Sequence, residues 1–195
     1  MADSLAEVKQ DARFWQRLLR LGGYYKGKTD GIIGKQSWTA AAAWEADAEK
    51  FRKELGTFDE RTERNLATLL PSTQRAARLW LRRAKPIAEA AGLDVRVICG
   101  TRTYAEQTAL YKQRPRVTKA AAGQSMHNFG IAWDIGIFQG KSYHGDHKMY
   151  RTLGQLAVDI PGIEWGGAWK SFVDEPHFQL TCFANSADAR RAFEV

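Results

Sequence analysis

The chain has 195 residues, 44% of them hydrophobic and 26% charged, with a formal net charge of +7. Such a composition is globular rather than disordered, and no stretch reaches the roughly 18 apolar residues that a membrane helix needs. The length suits one good-sized domain or two small ones, and the opening MADSLAEVKQDARFW lacks the basic-then-apolar layout of a secretory signal, so a soluble cytoplasmic product is expected.

In chain order, Val8, Ala12, Trp15, Leu18 and Leu19 recur at helical spacing and predict a helix over residues 5–21, stopped at Gly22-Gly23. The following YYKGKTDGIIG is a loop. It lacks the repeated acids and terminal Glu of a calcium loop, so TDGIIG is read as a structural turn. Ser37 to about Leu55 predicts an Ala-rich helix ending at Gly56, and a third helix runs from about Asp59 to Leu70, with Thr57 or Asp59 as N-cap. Pro71 breaks the chain there. These elements predict a three-helix unit over residues 1–70 and a second unit over 71–195.

The second unit opens with a helix over residues 72–91, with Ala76, Leu79, Trp80, Ala84, Ile87 and Ala91 along one side. VRVICG at 95–100 is short and β-branched, as a buried strand would be. Thr103 and Glu106 form a capping box opening the helix TYAEQTALYKQ. Residues 113–123 are a basic loop, IAWDIGIF (131–138) is a second strand, 148–158 a helix, GIEWGGAW a tight Gly-rich segment, and HFQLTCF (177–183) a third strand. The fold class is therefore α+β, a small helical unit followed by a mixed unit with a small antiparallel sheet. The two cysteines, Cys99 and Cys182, belong to no CxxC pair and are read as buried thiols rather than a disulfide.

All four histidines lie in the second unit. His127 is followed seven residues later by Asp134, inside an apolar strand, where a carboxylate is costly unless something pairs with it. A metal ion is one such partner. His177 opens the third strand candidate, with Asp174 three residues before it and Pro176 between them. Two His and one Asp suit zinc, whose catalytic sites take three protein ligands and leave a position for water. An acid beside that water, not itself a ligand, would serve as general base; Asp174 fits, with Glu175 as the rival. His144 and His147 in SYHGDHKMY are read as exposed surface residues.

With these residues in view, SMHNFGIAWD resembles the SxHxxGxAxD motif of the zinc D-Ala-D-Ala carboxypeptidases and L-alanyl-D-glutamate endopeptidases (VanY-type, within the LAS peptidases). EWGGAWKSFVDEPHFQ resembles their second signature and GTRTYAEQTALY their upstream segment, so the likeness spans about residues 72–182. It implies that His127, Asp134 and His177 bind Zn2+, that Asp174 is the catalytic base, and that Arg102 binds the substrate carboxylate or the developing oxyanion. It also implies that Ser125 and Gln107 help orient the peptide. Trp165 and Trp169 are read either as cleft walls, with Trp169 a substrate contact, or as core aromatics. The first unit, RFWQRLLRLGGYYKGKTDGIIGKQSWTAAAAW, resembles a peptidoglycan-binding domain, although Trp44-Glu45 stands where Phe-Gln is common and the stretch before GTFDERTERNL is longer than usual.

A wall-binding unit joined to a wall-peptide hydrolase without a secretory signal resembles a phage or prophage endolysin. This implies a zinc endopeptidase cutting the peptidoglycan stem peptide between L-Ala and D-Glu. The protein would be held in the host cytoplasm until release to the wall or periplasm, with a holin providing access, and would act as a monomer without membrane insertion. The alternatives are a D-Ala-D-Ala carboxypeptidase and, in another class, a non-catalytic wall-binding protein with structural zinc. The first 70 residues carry 12 Lys/Arg against 11 Asp/Glu and the remainder 17 against 11, so the positive excess lies on the second unit. It suits an anionic cell envelope, and no nucleic-acid partner is expected.

Overall fold

The computed structural model describes residues 11–115, 117–145 and 147–195. Among these residues, seven helices surround one five-stranded, wholly antiparallel sheet. Helix α1 (Ala12–Leu21) is capped by Asp11, whose side chain accepts from Phe14 N, and it buries Phe14, Leu18 and Leu19. The part of the expected helix that precedes Asp11, Val8 included, lies outside the described residues. Helix α2 (Lys35–Leu55) follows the Gly-rich loop, and α3 (Glu60–Ala67) is capped by Asp59, which accepts from Thr62 N. Pro71, expected to break the chain, instead occupies the first turn of α4 (Pro71–Ala90), where its missing N–H and fixed φ are harmless. The buried side of α4 runs through Ala76, Ala77, Trp80, Leu81, Ala84 and Ala88; Ile87 and Ala91, expected to face inward, are exposed.

Strand β1 (Asp94–Cys99), helix α5 (Tyr104–Lys112), strands β2 (Ala132–Gln139) and β3 (Ser142–Tyr143), helix α6 (Met149–Gly154), strands β4 (Ile163–Trp165) and β5 (His177–Leu180) and helix α7 (Ser186–Glu194) complete the fold. The capping box of α5 forms as expected: Thr103 Oγ1 accepts from Glu106 N, and Glu106 accepts from Thr103 N. The expected helix over 148–158 divides into α6 and a 3-10 segment, Gln155–Asp159. Periodicity assigned nothing to 184–195, yet α7 forms there, with Asn185 capping Asp188 N and Ala189 and Phe193 buried four residues apart. Of the two cysteines, expected as buried thiols, Cys99 is half-buried and Cys182 exposed; both are free. Cys182 lies beyond the end of β5 at Leu180.

The strand order is β1-β2-β5-β4, with β3 on the distal end of β2. One face of the sheet is apolar. Trp133 stacks on Phe178 with ring centroids 5.5 Å apart, Phe178 meets Trp80 of α4 at 4.6 Å, and Trp80 Nε1 donates to Leu153 O at 3.1 Å. A second apolar cluster gathers Phe14, Leu18 and Trp44 from the first helices with Leu70, Met126, Phe129, Ile131 and Phe193. This cluster crosses the expected boundary at residue 70, and the backbone crosses it too, since Leu70 N donates to Gly130 O at 3.0 Å.

The same junction holds an ion pair that no sequence pattern marks. Arg78 of α4 is 1% exposed, donates to both carboxylate oxygens of Glu63 on α3 (2.8 and 2.5 Å) and reaches Gly56 O at 2.8 Å. Desolvating a guanidinium is costly unless its partners are in place, so the pair is far worse broken than absent. Glu63→Ala should lower unfolding free energy by about 3–5 kcal/mol. The apolar double change Glu63→Leu/Arg78→Met should recover most of that loss. Denaturant unfolding of the three proteins checks this, and a double variant less stable than Glu63→Ala would refute it.

Candidate metal and catalytic site

On the second face of the sheet, pairing register brings the chemistry together. Asp134 of β2 stands opposite Cys99 of β1 on one side and opposite His177 of β5 on the other. Directly opposed residues of antiparallel strands project to the same face, so these three side chains form a row. A bulge produces the first pairing: Val97 opposes Ile135, but Cys99 opposes Asp134, leaving Ile98 as the extra residue. His127 arrives from outside the sheet on a buried 3-10 turn, Met126–Phe129. Gly130 ends that turn at φ +68°, a conformation that L side chains rarely adopt, and a Cβ there would crowd Leu18 Cδ1 at 3.0 Å and Leu70 N at 3.3 Å.

Three atoms converge. His127 Nε2 lies 3.1 Å from Asp134 Oδ1, His177 Nδ1 lies 3.1 Å from the same oxygen, and the two ring nitrogens are 3.3 Å apart. Their partners on the far side fix the tautomers. His127 Nδ1 is 2.8 Å from Gly100 O, which can only accept, so Nδ1 carries the hydrogen. His177 Nε2 is 3.1 Å from Gln179 Oε1, and the Gln179 amide nitrogen donates to Glu164 Oε2 at 2.8 Å, so His177 Nε2 is also a donor. Both inner nitrogens therefore present lone pairs to a carboxylate oxygen. Three lone pairs facing one another need a cation between them, and outer partners that orient ligating histidines are the usual companions of a metal site.

The Cys99 thiol also lies near this group, and Cys99, His127 and Asp134 together offer ligand atoms within 4.8 Å of one another. Its sulfur, however, sits 3.8 Å from His127 Nδ1, the nitrogen already committed to Gly100, so the thiol is behind the ring. The His127, Asp134 and His177 atoms are the tighter set. Without a metal the site captures a proton. Burial opposes charge on His127, but the Asp134 carboxylate, then the Cys99 sulfur, outweigh it and raise its pKa to about 10. Burial likewise opposes charge on Asp134, yet His127 and then His177 hold its carboxyl well below the usual carboxylate range.

Arg102 and Asp174 flank this centre. Arg102 Nη2 is 3.8 Å from Asp134 Oδ2, and Nη1 donates to Gln107 Oε1 at 3.0 Å. Gln107 is fully buried and its own amide donates to Ala120 O at 2.7 Å, so it steadies Arg102 from behind rather than facing a cleft. Asp174 precedes His177 in a tight turn in which Asp174 N donates to Gly166 O and Asp174 O accepts from His177 N. Its pKa is raised, first by burial and then by the negative charge of Asp134. Glu175, the rival base, has its carboxylate taken by Arg151 at 2.5 Å. Trp165 is locked into the structure by donating from Nε1 to Glu175 O at 2.7 Å, whereas the half-exposed Trp169 sets its ring 5.2 Å from that of His177. Ser125 is half-buried at the start of the His127 turn. The loops leading to His127 and Asp174 touch where Lys119 Nζ lies 5.1 Å from the Phe172 ring. His144 and His147, expected to be exposed, are half-buried with rings 6.1 Å apart and lie on the β3–α6 connection, outside the converging set.

Sequence reasoning missed Gly100, Gln179 and Glu164. Gln179 had a usable signal: it sits two residues after His177 in a strand, hence on the same face.

Comparison with known proteins agrees with this geometry. A family model described as D-alanyl-D-alanine carboxypeptidase, of the M15 peptidases, matches residues 118–180. The chain is 35% identical over 111 residues to the peptidoglycan L-alanyl-D-glutamate endopeptidase CwlK of Bacillus subtilis, covering 49% of this chain and 66% of that protein. It is 32% identical over 127 residues to the L-alanyl-D-glutamate peptidase of Listeria phage A118, covering 63% of this chain and 42% of that one. It therefore spans just under two thirds of the first relative's length and less than half of the second's. The crystal structure of the Serratia marcescens L-Ala D-Glu endopeptidase ChiX superposes with a TM-score of 0.50 at 27% identity, over 63% of this chain and 88% of that one. The segment matched by this family model contains His127, Asp134, Asp174 and His177.

Proposed function

We propose that the protein is a zinc-dependent peptidoglycan endopeptidase that cuts the wall stem peptide between L-Ala and D-Glu. The observation that carries this is the convergence of His127 Nε2, Asp134 Oδ1 and His177 Nδ1, each ring oriented from behind. The donor set, two neutral imidazoles and a carboxylate, suits zinc, with a position left for water. Zinc bound there supplies a Lewis acid that makes a water nucleophilic near neutral pH. Asp174, its pKa raised by burial and by Asp134, accepts that water's proton and returns it to the leaving amine. Arg102, steadied by Gln107, faces the negative charge that develops on the scissile carbonyl oxygen, a role whose loss costs about 3–4 kcal/mol in comparable sites. Trp169 and Ser125 line the approach to His177 and His127 and contact the peptide. The names of the relatives, two L-alanyl-D-glutamate peptidases and an L-Ala D-Glu endopeptidase, support the choice of bond.

The first 70 residues act as the wall-binding part, with a groove between the Gly-rich loop and α2 lined by Tyr24, Tyr25, Gln36 and Thr39, and with Ile32 and Trp38 exposed close by. The protein works as a monomeric endolysin, held in the host cytoplasm until a holin opens the way to the wall. No helix among the described residues is long and apolar enough to cross a membrane. A D-Ala-D-Ala carboxypeptidase is the second reading, favoured by the description of the family model.

Asp174→Ala should retain about one zinc per chain and lose lysis of permeabilised bacteria, with chelator abolishing wild-type lysis and zinc restoring it. Wild-type lysis by the variant would remove Asp174 from the mechanism. Mass spectrometry of the digested muropeptides separates the two readings: new N-terminal D-Glu supports the endopeptidase, and free D-Ala would replace it with the carboxypeptidase.

The titration of the site gives an independent check. A His127 with a pKa raised to about 10 is protonated at pH 7 in the metal-free protein, and that proton must leave when the nitrogen takes a metal. Calorimetric zinc titrations at pH 7 in buffers of different ionisation enthalpy should show about one proton released, and affinity should weaken as pH falls. Buffer-independent enthalpies would contradict this protonation state.

A further inference from the structure

Strand β1 is an edge of the sheet, and its outer backbone groups are met by a helix instead of another strand. Thr62 Oγ1 accepts from Val97 N at 3.1 Å, and Asn65 Nδ2 donates to Val97 O at 3.0 Å. Thr68 Oγ1 accepts from Thr101 N at 2.9 Å, and Thr101 Oγ1 donates in return to Thr68 O at 2.5 Å. Thr62, Asn65 and Thr68 recur every third residue along TERNLAT, on one side of α3 and its last turn. The Thr68 hydroxyl hydrogen is spent on Asn65 O at 2.7 Å, so its lone pair is left for Thr101.

The ladder ends at Gly100. A Cβ there would overlap Asn65 O and Thr68 Oγ1, so the helix end and the strand end meet backbone to backbone. The carbonyl of that glycine is the acceptor that fixes the His127 tautomer. A continuous set of contacts therefore runs from Thr68, through the Gly100–Thr101 peptide, to the ring nitrogen that faces Asp134.

We infer that Thr68 is a positioning residue for the metal site: it holds the Gly100–Thr101 peptide so that the Gly100 carbonyl keeps His127 Nε2 presented to the metal. This rests on the metal-site reading proposed above. Cutting the clamp frees the end of an edge strand, lets the carbonyl turn away, and leaves either ring nitrogen able to carry the hydrogen. Thr62 makes a comparable bond to β1 at Val97, on the far side of the Ile98 bulge and away from Gly100, so it serves as the comparator.

The test uses the full chain, with zinc affinity measured by competition against a chromophoric chelator, the visible spectrum of the cobalt-loaded protein, and thermal melting of the metal-free protein. Thr68→Val should weaken zinc binding by about 10-fold, the lower end of the effect of losing an outer partner outright, because the partner Gly100 O is displaced and not removed, and it should change the cobalt spectrum. Thr68→Ser should restore both. Thr62→Val should lower the melting temperature while leaving zinc affinity close to wild type. Thr101→Ala cuts the reciprocal bond and carries the same expectation as Thr68→Val, should the latter not fold. Wild-type zinc affinity in Thr68→Val, or an equal loss in Thr62→Val, would overturn the positioning role alone. A wild-type chain that takes up no zinc would overturn the metal-site reading and this inference with it.

Discussion

A carboxylate oxygen with a histidine lone pair on each side is the constraint from which the rest of this structure can be understood. Asp134 sits in the middle of a sheet whose other face is the apolar core, where an ionised acid is tolerated only if partnered. The pairing register gives it His177 on one neighbouring strand and Cys99 on the other, and the bulge at Ile98 is what brings Cys99 level with it. His127 is then delivered from above by a buried turn that ends in a left-handed glycine. Each ring is turned by an acceptor behind it, Gly100 O for His127 and Gln179 Oε1 for His177. Removing either acceptor would let a ring nitrogen bind its hydrogen on the wrong side, so these two partners matter as much as the rings they orient.

The same logic explains why the first 70 residues do not stand apart from the rest. Leu18, Trp44 and Phe14 share a core with Phe129 and Phe193, and Arg78 ties α4 back to Glu63 on α3. Helix α3 satisfies the open edge of β1, which also blunts an edge that would otherwise be free to pair with another chain. The candidate site and the helical part are thus packed together around residues 65–70, 100–102 and 127–131. The wall-binding surface proposed on the Gly-rich loop would then be rigidly joined to the candidate site.

Legibility from sequence followed the range of the interaction. Asp59 and Thr103 were readable as caps because a cap is satisfied three residues away along the chain. Periodicity located most of the helices and the three main strands, but it misplaced the inner face of α4 near Ile87, where Ala84 and Ala88 are the buried positions. It also missed α7, whose two apolar anchors, Ala189 and Phe193, are too few to make a pattern. Cys182 was misread because a thiol's burial depends on what folds over it.

What the sequence by itself determined was which residues to group: two histidines and Asp134 as candidate donors with Asp174 as candidate base, in motifs whose resemblance to zinc peptidases supplied the grouping. Only the tertiary structure decided which nitrogen of each ring faces inward, why Cys99 lies behind His127, that Gln107 is buried against Arg102, and that a helix from the first unit braces Gly100. The reason is physical. The His127 tautomer is set by a carbonyl 27 residues away in sequence, and the peptide carrying that carbonyl is held by Thr68, 33 residues from Thr101. No local rule of spacing or propensity carries that information.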